Sequence, residues 1–103
     1  MQAEKMDKEK ILEILRDHAP ELREAGLIHL RLFGSVARGH ANPRSDIDLL
    51  ADFDPSKPIT LVTLGRLESD LTALLGTNVD LSSPDWMREP IRKQALQEAV
   101  VAF

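Results

Sequence analysis

The strongest constraint on the fold comes from two segments, of seven and eight residues, in which apolar residues occupy alternate positions. Segment 27–33 carries them at Ile28, Leu30 and Leu32, and segment 46–53 carries them at Ile47, Leu49, Ala51 and Phe53. A period of two is typical of strands that bury one face. In the second segment the other face holds Asp46 and Asp48. The pattern therefore predicts two strands, the second with carboxylates along one face.

Apolar residues at helical spacing predict helices on both sides of these strands. From about residue 59 to residue 75, leucines recur at intervals of three and four, and Gly76 then follows as a natural end. Segment 7–18 carries a shorter apolar stripe, which we expect to extend past Pro20 and to stop at Gly26. Both segments therefore predict amphipathic helices that can cover a sheet.

A third strand and a last helix are predicted near the end of the chain. Residues 79–81 form a short apolar segment around Asp80, and Ser83 with Pro84 is typical of a helix start. Pro90 is expected to restart that helix, and the apolar tail could form an edge strand or contact a partner. The order helix, strand, strand, helix, strand, helix predicts a small α/β (α+β) fold, a β-sheet flanked by helices.

Length, charge and composition limit the classes of function. A chain of 103 residues is predicted to be a single domain, residues 1–103, since a second core would not fit. It has no cysteine, no signal-peptide pattern and no run of apolar residues long enough for a membrane span, so we expect a cytoplasmic protein. The net charge of -4 argues against strong nucleic-acid binding, which needs a basic face.

Asp46 and Asp48 are the first candidates for chemistry. Side chains two residues apart on a strand leave the same face, with Cα atoms about 7 Å apart. Carboxylates at this spacing can share the two divalent cations that nucleotidyl transfer commonly uses. An isolated Asp-X-Asp pair is, however, usually no more than the solvated face of a strand. The pair therefore needs a second signal.

That second signal is the turn Gly34-Ser35-Val36-Ala37-Arg38-Gly39, which follows the first strand. A glycine turn that opens a helix exposes backbone N–H groups to phosphate oxygens. Ser35 could donate its hydroxyl and Arg38 could add charge-assisted hydrogen bonds. Alone, a Gly-Ser turn is more often an ordinary connection between a strand and a helix.

Taken together, segments 34–39, 45–50 and 79–81 resemble the signature of the DNA polymerase β-like nucleotidyltransferase superfamily, in particular its minimal nucleotidyltransferases, the MNT-domain proteins. The resemblance implies the mixed sheet of a polymerase β-like palm. It also implies that Asp46, Asp48 and Asp80 hold Mg²⁺, two ions in all, and that ATP is the substrate.

The remaining site residues are assigned from the same resemblance. Gly34 and Ser35 match the turn that contacts the triphosphate in the family, and Arg38 and Ser45 are assigned as further nucleotide contacts. Asp80 lies between two apolar residues, so it is predicted to point away from their face and is a candidate general base.

The resemblance further implies a partner. Short domains of this kind resemble antitoxins of toxin–antitoxin pairs, whose partner is a HEPN-domain toxin that some of them adenylylate. We therefore expect transfer of AMP from ATP to a protein acceptor. Two alternatives stay open: an antitoxin that acts by direct binding alone, and transfer to a small molecule such as an antibiotic. The apolar residues of helix 59–75 and of the chain end could serve the core or a homodimer.

Overall fold

The computed structural model describes residues 7–34, 36–37 and 46–103. The order of its elements confirms the predicted α/β class. In chain order they are α1 (Lys8–Asp17), α2 (Ala19–Glu24), β1 (Leu27–Phe33), β2 (Ile47–Phe53), α3 (Leu61–Leu75), β3 (Val79–Ser82), a 3₁₀ helix (Pro84–Trp86), α4 (Ile91–Glu98) and β4 (Val100–Val101). Of the helices in this part of the chain, none combines the length and apolar character that crossing a membrane requires.

Side-chain caps set where the helices begin. The Asp7 carboxylate accepts a hydrogen bond from the Lys10 N–H at 2.8 Å, and α1 starts one residue later. Thr60 accepts from the Thr63 N–H at 3.1 Å, so α3 begins at Leu61 rather than at residue 59. Both are N-caps that satisfy a backbone donor otherwise left free. At the other end of α3, Gly76 adopts the left-handed conformation that ends a helix.

The four strands form one mixed sheet in the order β3-β2-β1-β4. β1 pairs antiparallel with β2 and β4, whereas β2 and β3 run parallel. Helix α3 connects the parallel pair, and α4 lies in the connection that crosses from β3 to the opposite edge. This topology puts β2, the strand with the aspartates, between β1 and β3.

The core lies where α1, α2 and α3 cover one face of the sheet. Buried residues from β1 and β2 meet leucines of α3 there, and α1 adds its own apolar stripe. The main contributors are Ile11, Leu15, Leu27, Leu30, Leu32, Leu49, Leu67, Leu71 and Leu75. Leu50 and Ala95 are also buried but do not belong to this cluster. Because one face of β1 and β2 is committed to the core, the register of these strands is fixed.

One predicted core position is wrong. Ile28 was expected to face the core with Leu30, but its side chain is 38% exposed, and Leu27 is fully buried instead. The cause is an irregularity in the pairing of β1 with β2 between Leu27 and His29. An extra residue in one strand shifts the alternation locally, so the residue before the bulge takes the inward position.

Candidate active site

Asp48 and Asp80 are neighbours across the parallel pair of strands. The register of β2 and β3 places Asp48 opposite Asp80, and Ile47 opposite Val79. Adjacent strands lie about 4.8 Å apart, and residues in register project to the same face. Since Ile47 and Val79 are buried in the core, both aspartates project to the other face. Two of the three predicted carboxylates are therefore brought together by strand pairing.

Asp46 completes the row at the start of β2. It lies two residues before Asp48, immediately ahead of the strand, and its side chain is exposed. Asp80 is exposed as well, whereas Asp48 is half-buried. The half-buried Asp48 thus has two exposed carboxylates near it, Asp46 before it in the chain and Asp80 across the parallel strands.

Gly34 connects the predicted phosphate turn to these carboxylates. It follows β1, whose last residue, Phe33, pairs with Asp48. The φ angle of Gly34 is +82°, and a Cβ built on it would overlap the Asp48 carboxylate oxygen Oδ2 and lie 3.2 Å from Cγ. Glycine is therefore required here for two reasons, the backbone conformation and the close approach of a carboxylate. The turn and the aspartate are in contact, as one site would need.

This set of carboxylates suits a hard divalent cation. Carboxylate oxygens are the protein ligands that Mg²⁺ prefers, and the site offers Asp48 and Asp80 on one face, with Asp46 two residues before Asp48. No three His, Asp or Glu side chains of residues 7–34, 36–37 and 46–103 converge closely enough to surround a metal ion. The residues therefore fit the chemistry of Mg²⁺, but they are not closed around a common point.

Two other aspartates at the end of β2 have different partners. Asp52 forms an ion pair with Arg31 at 3.1 Å, across the antiparallel pair of strands. Asp54 accepts hydrogen bonds from the Ser56 N–H at 2.9 Å and from the Ser56 hydroxyl at 2.8 Å. The backbone bond first, then the hydroxyl and the charge of Lys57, hold the pKa of Asp54 below its ordinary value. Asp52 and Asp54 are therefore each held by a neighbouring side chain of their own.

Sequence reasoning missed two residues of α3 that lie next to the site. The Thr72 hydroxyl accepts a hydrogen bond from the Val79 N–H at 3.1 Å, and the Glu68 carboxylate accepts one from the Leu81 N–H at 2.9 Å. These donors are the residues on either side of Asp80. The signal in the sequence is two hydrogen-bond acceptors four apart on a helix that precedes the strand, and it is interpretable only once the helix is known to pack against that strand.

Three of the predicted nucleotide contacts, Ser35, Arg38 and Ser45, lie outside the described residues. Of the predicted turn, the structure describes Gly34 together with Val36 and Ala37, both of which are buried in the core cluster. The turn is therefore anchored to the core immediately after Gly34.

Comparisons with a family model and with known proteins both find nucleotidyltransferases. Residues 8–102 match the model of the family described as nucleotidyltransferase domain. The protein adenylyltransferase MntA of Thermococcus cleftensis is 41% identical over 93 residues, which cover 89% of this chain and 92% of that protein.

Solved structures share the fold. One described as a candidate minimal nucleotidyltransferase is 38% identical and superposes with a TM-score of 0.77, covering 95% of this chain and 98% of its own. A chain from the complex of a tri-AMPylated Shewanella oneidensis HEPN toxin with an MNT antitoxin superposes with a TM-score of 0.63 at 18% identity. The superposition covers 89% of this chain and 71% of that chain. At that identity the likeness concerns the fold alone.

Proposed function

This chain belongs to the nucleotidyltransferase domain family and is a nucleotidyltransferase, and we propose that it transfers AMP from ATP to a protein acceptor. The observation that carries the proposal is the pairing of Asp48 with Asp80 beside Gly34, because it joins the carboxylates to the predicted triphosphate turn. The choice of AMP and of a protein acceptor is supported by the similarity to a protein adenylyltransferase over most of both chains. A cytoplasmic location, as the sequence predicts, fits a reaction that consumes ATP.

Asp46, Asp48 and Asp80 would hold the Mg²⁺ of the reaction. When bound, Mg²⁺ would neutralise charge on the triphosphate and increase the reactivity of the attacking oxygen. The half-buried Asp48 lies centrally in this row, in contact with the turn, whereas Asp46 and Asp80 are exposed to incoming groups. The positions of Asp48 and Asp80 relative to each other are set by strand pairing, before any ligand binds.

The other residues would bind and orient the nucleotide. With no side chain at Gly34, the Asp48 carboxylate lies against the backbone of the turn, whose N–H groups would bind the triphosphate beside it. Ser35 and Arg38 would donate hydrogen bonds to phosphate oxygens, and Ser45 would do so from the start of the aspartate segment. These three assignments rest on the match of their motifs to the family.

The transfer itself requires one bond to form and one to break. An acceptor oxygen bonds to the α-phosphorus of ATP, the bond from that phosphorus to the bridging oxygen of the β-phosphate breaks, and pyrophosphate leaves. The proton of the acceptor goes to a base, and the exposed carboxylate of Asp80 is our candidate for that base. We assign Asp80 this role in addition to metal binding.

We propose that the acceptor is a HEPN-domain toxin and that the chain is the antitoxin of such a pair. Support comes from the fold shared with a chain of the complex between a HEPN toxin and an MNT antitoxin, in which the toxin carries three AMP groups.

The test is to mix the protein with ATP labelled on the α-phosphate, Mg²⁺ and the product of its neighbouring gene. An Asp46→Asn/Asp48→Asn variant tests the site, and Asp70→Asn, which removes an exposed carboxylate from α3, is the matched control. Label that moves to the neighbour with wild type and control, but not with the double variant, is the expected result.

Other outcomes would point elsewhere. Tight binding of the two proteins without transfer of label, together with neutralisation by the double variant in cells, would favour an antitoxin that acts by contact alone. Transfer of label to an antibiotic in the absence of any second protein would replace the protein acceptor with a small molecule.

A further inference from the structure

The edge of the sheet beside Asp80 is closed by side chains. β3 lies at one end of the strand order, so within the described sheet it pairs only with β2. On its other side, the Val79 N–H donates to Thr72 Oγ1 and the Leu81 N–H donates to Glu68 Oε2. Helix α3 thus supplies the acceptors that a further strand would otherwise provide.

The spacing of the two pairs makes this contact possible. Residues two apart on a strand are separated by about 6.6 Å and have their N–H groups on the same edge. Residues four apart on a helix are separated by about 6 Å along its axis and share a face. Glu68 and Thr72 therefore match Val79 and Leu81 in both distance and direction, and they do so on either side of Asp80.

These hydrogen bonds restrain the peptide units that carry Asp80. Val79 and Leu81 point into the core and are buried, which sends the side chain of Asp80 to the opposite face. The bond to Glu68 is charge-assisted and so stronger than one between neutral groups. With both flanking N–H groups held, the strand cannot slide or tilt along α3 without losing a bond.

The two paired aspartates differ in this respect. Asp48 lies in β2, which has a neighbouring strand on each side, so its position is fixed by pairing. Asp80 lies in an edge strand, where pairing constrains one side only. The third carboxylate therefore depends on α3 for the precision that the sheet gives to Asp48.

We propose that Glu68 and Thr72 are positioning residues for Asp80, which hold the edge strand so that its carboxylate meets the metal held by Asp48. The inference rests on the proposed role of Asp80 in metal binding. Loss of the partners that orient metal ligands commonly weakens metal affinity 10-fold to 100-fold, and we expect about 10-fold here since these residues act through the backbone.

The first test measures Mg²⁺ binding without nucleotide or acceptor. Protein labelled with ¹⁵N is titrated with Mg²⁺, and the amide shifts of Asp48 and Asp80 report half-saturation. Glu68→Ala and Thr72→Val should each raise the half-saturating concentration by about 10-fold. Asp70→Ala, which removes a like charge from the exposed face of the same helix, should leave it within about twofold.

Conservative variants separate positioning from charge and from folding. Glu68→Gln keeps an acceptor oxygen but not the charge, and Thr72→Ser keeps the hydroxyl, so both should retain most of the wild-type affinity. If Glu68→Gln binds Mg²⁺ as weakly as Glu68→Ala, the effect is one of charge and the inference is overturned. If Glu68→Ala fails to fold, Thr72→Val still tests the inference, because valine removes the acceptor and nearly keeps the shape of threonine.

The second test is a double-mutant cycle in the transfer assay with labelled ATP. If Glu68 acts through Asp80, Glu68→Ala should lower the rate in wild type but cost little more once Asp80→Asn is present. An equal loss in both backgrounds would mean that Glu68 supports only stability.

The two tests distinguish the failure of this inference from failure of the proposed function. If Mg²⁺ moves none of the aspartate signals of wild type, or if Asp80→Asn transfers AMP at the wild-type rate, the proposed metal site is wrong and the inference falls with it. If Asp80→Asn is impaired while Glu68→Ala and Thr72→Val behave like Asp70→Ala, only the positioning role is wrong.

Discussion

At both edges of the sheet, side chains of a helix form hydrogen bonds with the backbone, as acceptors at one edge and as a donor at the other. At the β3 edge, acceptors of α3 receive backbone N–H groups. At the β4 edge, Arg16 of α1 donates to the carbonyls of Ala102 at 2.8 Å and Val101 at 3.2 Å. In each case a helix packed on the core extends a polar side chain past the sheet to satisfy backbone groups that have no neighbouring strand.

The two closed edges differ in what they support. The β3 edge carries Asp80, opposite Asp48, so disturbing it should change the chemistry of the site. The β4 edge carries apolar residues, and Arg23 stacks over the Phe103 ring at 5.0 Å, so disturbing it should change stability alone. Hydrogen bonds from a helix to a sheet edge thus support the site at β3 and stability at β4, and substitutions at the two edges can separate these effects.

The largest effect is expected for Asp48→Asn, on the site side of the sheet. Loss of a metal carboxylate removes several kcal/mol of transition-state stabilisation, so the transfer rate should fall by about 10³-fold. The measurement is the rate of label transfer from ATP, with Asp70→Asn as the matched loss of charge. If the variant keeps a tenth of the wild-type rate, Asp48 does not bind the metal. The β3 edge would then have no special role in the reaction, and the proposed difference between the two edges would be wrong.

Gly34→Ala and Gly76→Ala form a pair that isolates the contact with Asp48. Both glycines have positive φ, +82° and +74°, so each substitution should cost about 1–2 kcal/mol of folding free energy. A Cβ at Gly76 meets nothing within 4 Å, whereas at Gly34 it overlaps the Asp48 carboxylate. Only Gly34→Ala should also lower the transfer rate, by about 10²-fold from misplacement of that carboxylate.

Urea unfolding and the transfer assay, run on both glycine variants, check this expectation. If the two variants lose equal stability and equal activity, the contact between the turn and the carboxylate has no catalytic role.

Arg16→Ala tests the far edge. Loss of the bonds to Val101 and Ala102 should lower the free energy of unfolding by about 1–2 kcal/mol, since the guanidinium is partly exposed, with no change in transfer rate. Urea unfolding can be followed by Trp86, the one tryptophan of the chain, which stacks on Phe53 at 5.5 Å. Arg66→Ala, an exposed arginine of α3, is the control. A loss of activity in Arg16→Ala would show that the β4 edge also serves the site.

The smallest effect concerns Asp54, in the turn after β2. Its hydrogen bonds from Ser56 lower the pKa of its carboxyl from the ordinary value of 3.8, so the folded state favours the ionised form. That form adds stability above about pH 4, and the contribution is lost as the pH falls through the lowered pKa. Asp54→Asn should therefore flatten the acid side of the stability profile while leaving transfer at neutral pH unchanged. NMR titration that finds the pKa of Asp54 at or above 3.8 would contradict this.

Much of the fold could be predicted from local patterns. Alternation predicted β1 with the bounds that the structure shows and β2 with Asp46 included, one residue before its observed start at Ile47; Gly76 ends α3 as expected. The division of the first helix into α1 and α2, and the exposure of Ile28, could not be predicted. The first depends on how the chain turns at His18, and the second on an irregular pairing with a strand farther along the chain.

For the candidate site, too, some residues could be named from the sequence and others only from the tertiary structure. The three carboxylates and Gly34 of the candidate site were named from motifs and from the family that those motifs resemble. All of these roles stay predictions, and those of Ser35, Arg38 and Ser45 concern residues that lie outside the described part of the chain. Glu68 and Thr72 could not be named at all, since nothing in their local sequence distinguishes them from other polar residues of a helix.

The sequence by itself determined which segments become strands and helices, where caps and glycines end them, and which family of enzymes the motifs resemble. These properties depend on side-chain periodicity and backbone conformation over a few residues. Only the tertiary structure decided that Asp48 lies opposite Asp80, that the Gly34 turn touches a carboxylate, and that α3 holds the edge of β3. Those contacts join residues far apart in the chain. They depend on strand register and core packing, which a local stretch of sequence does not encode.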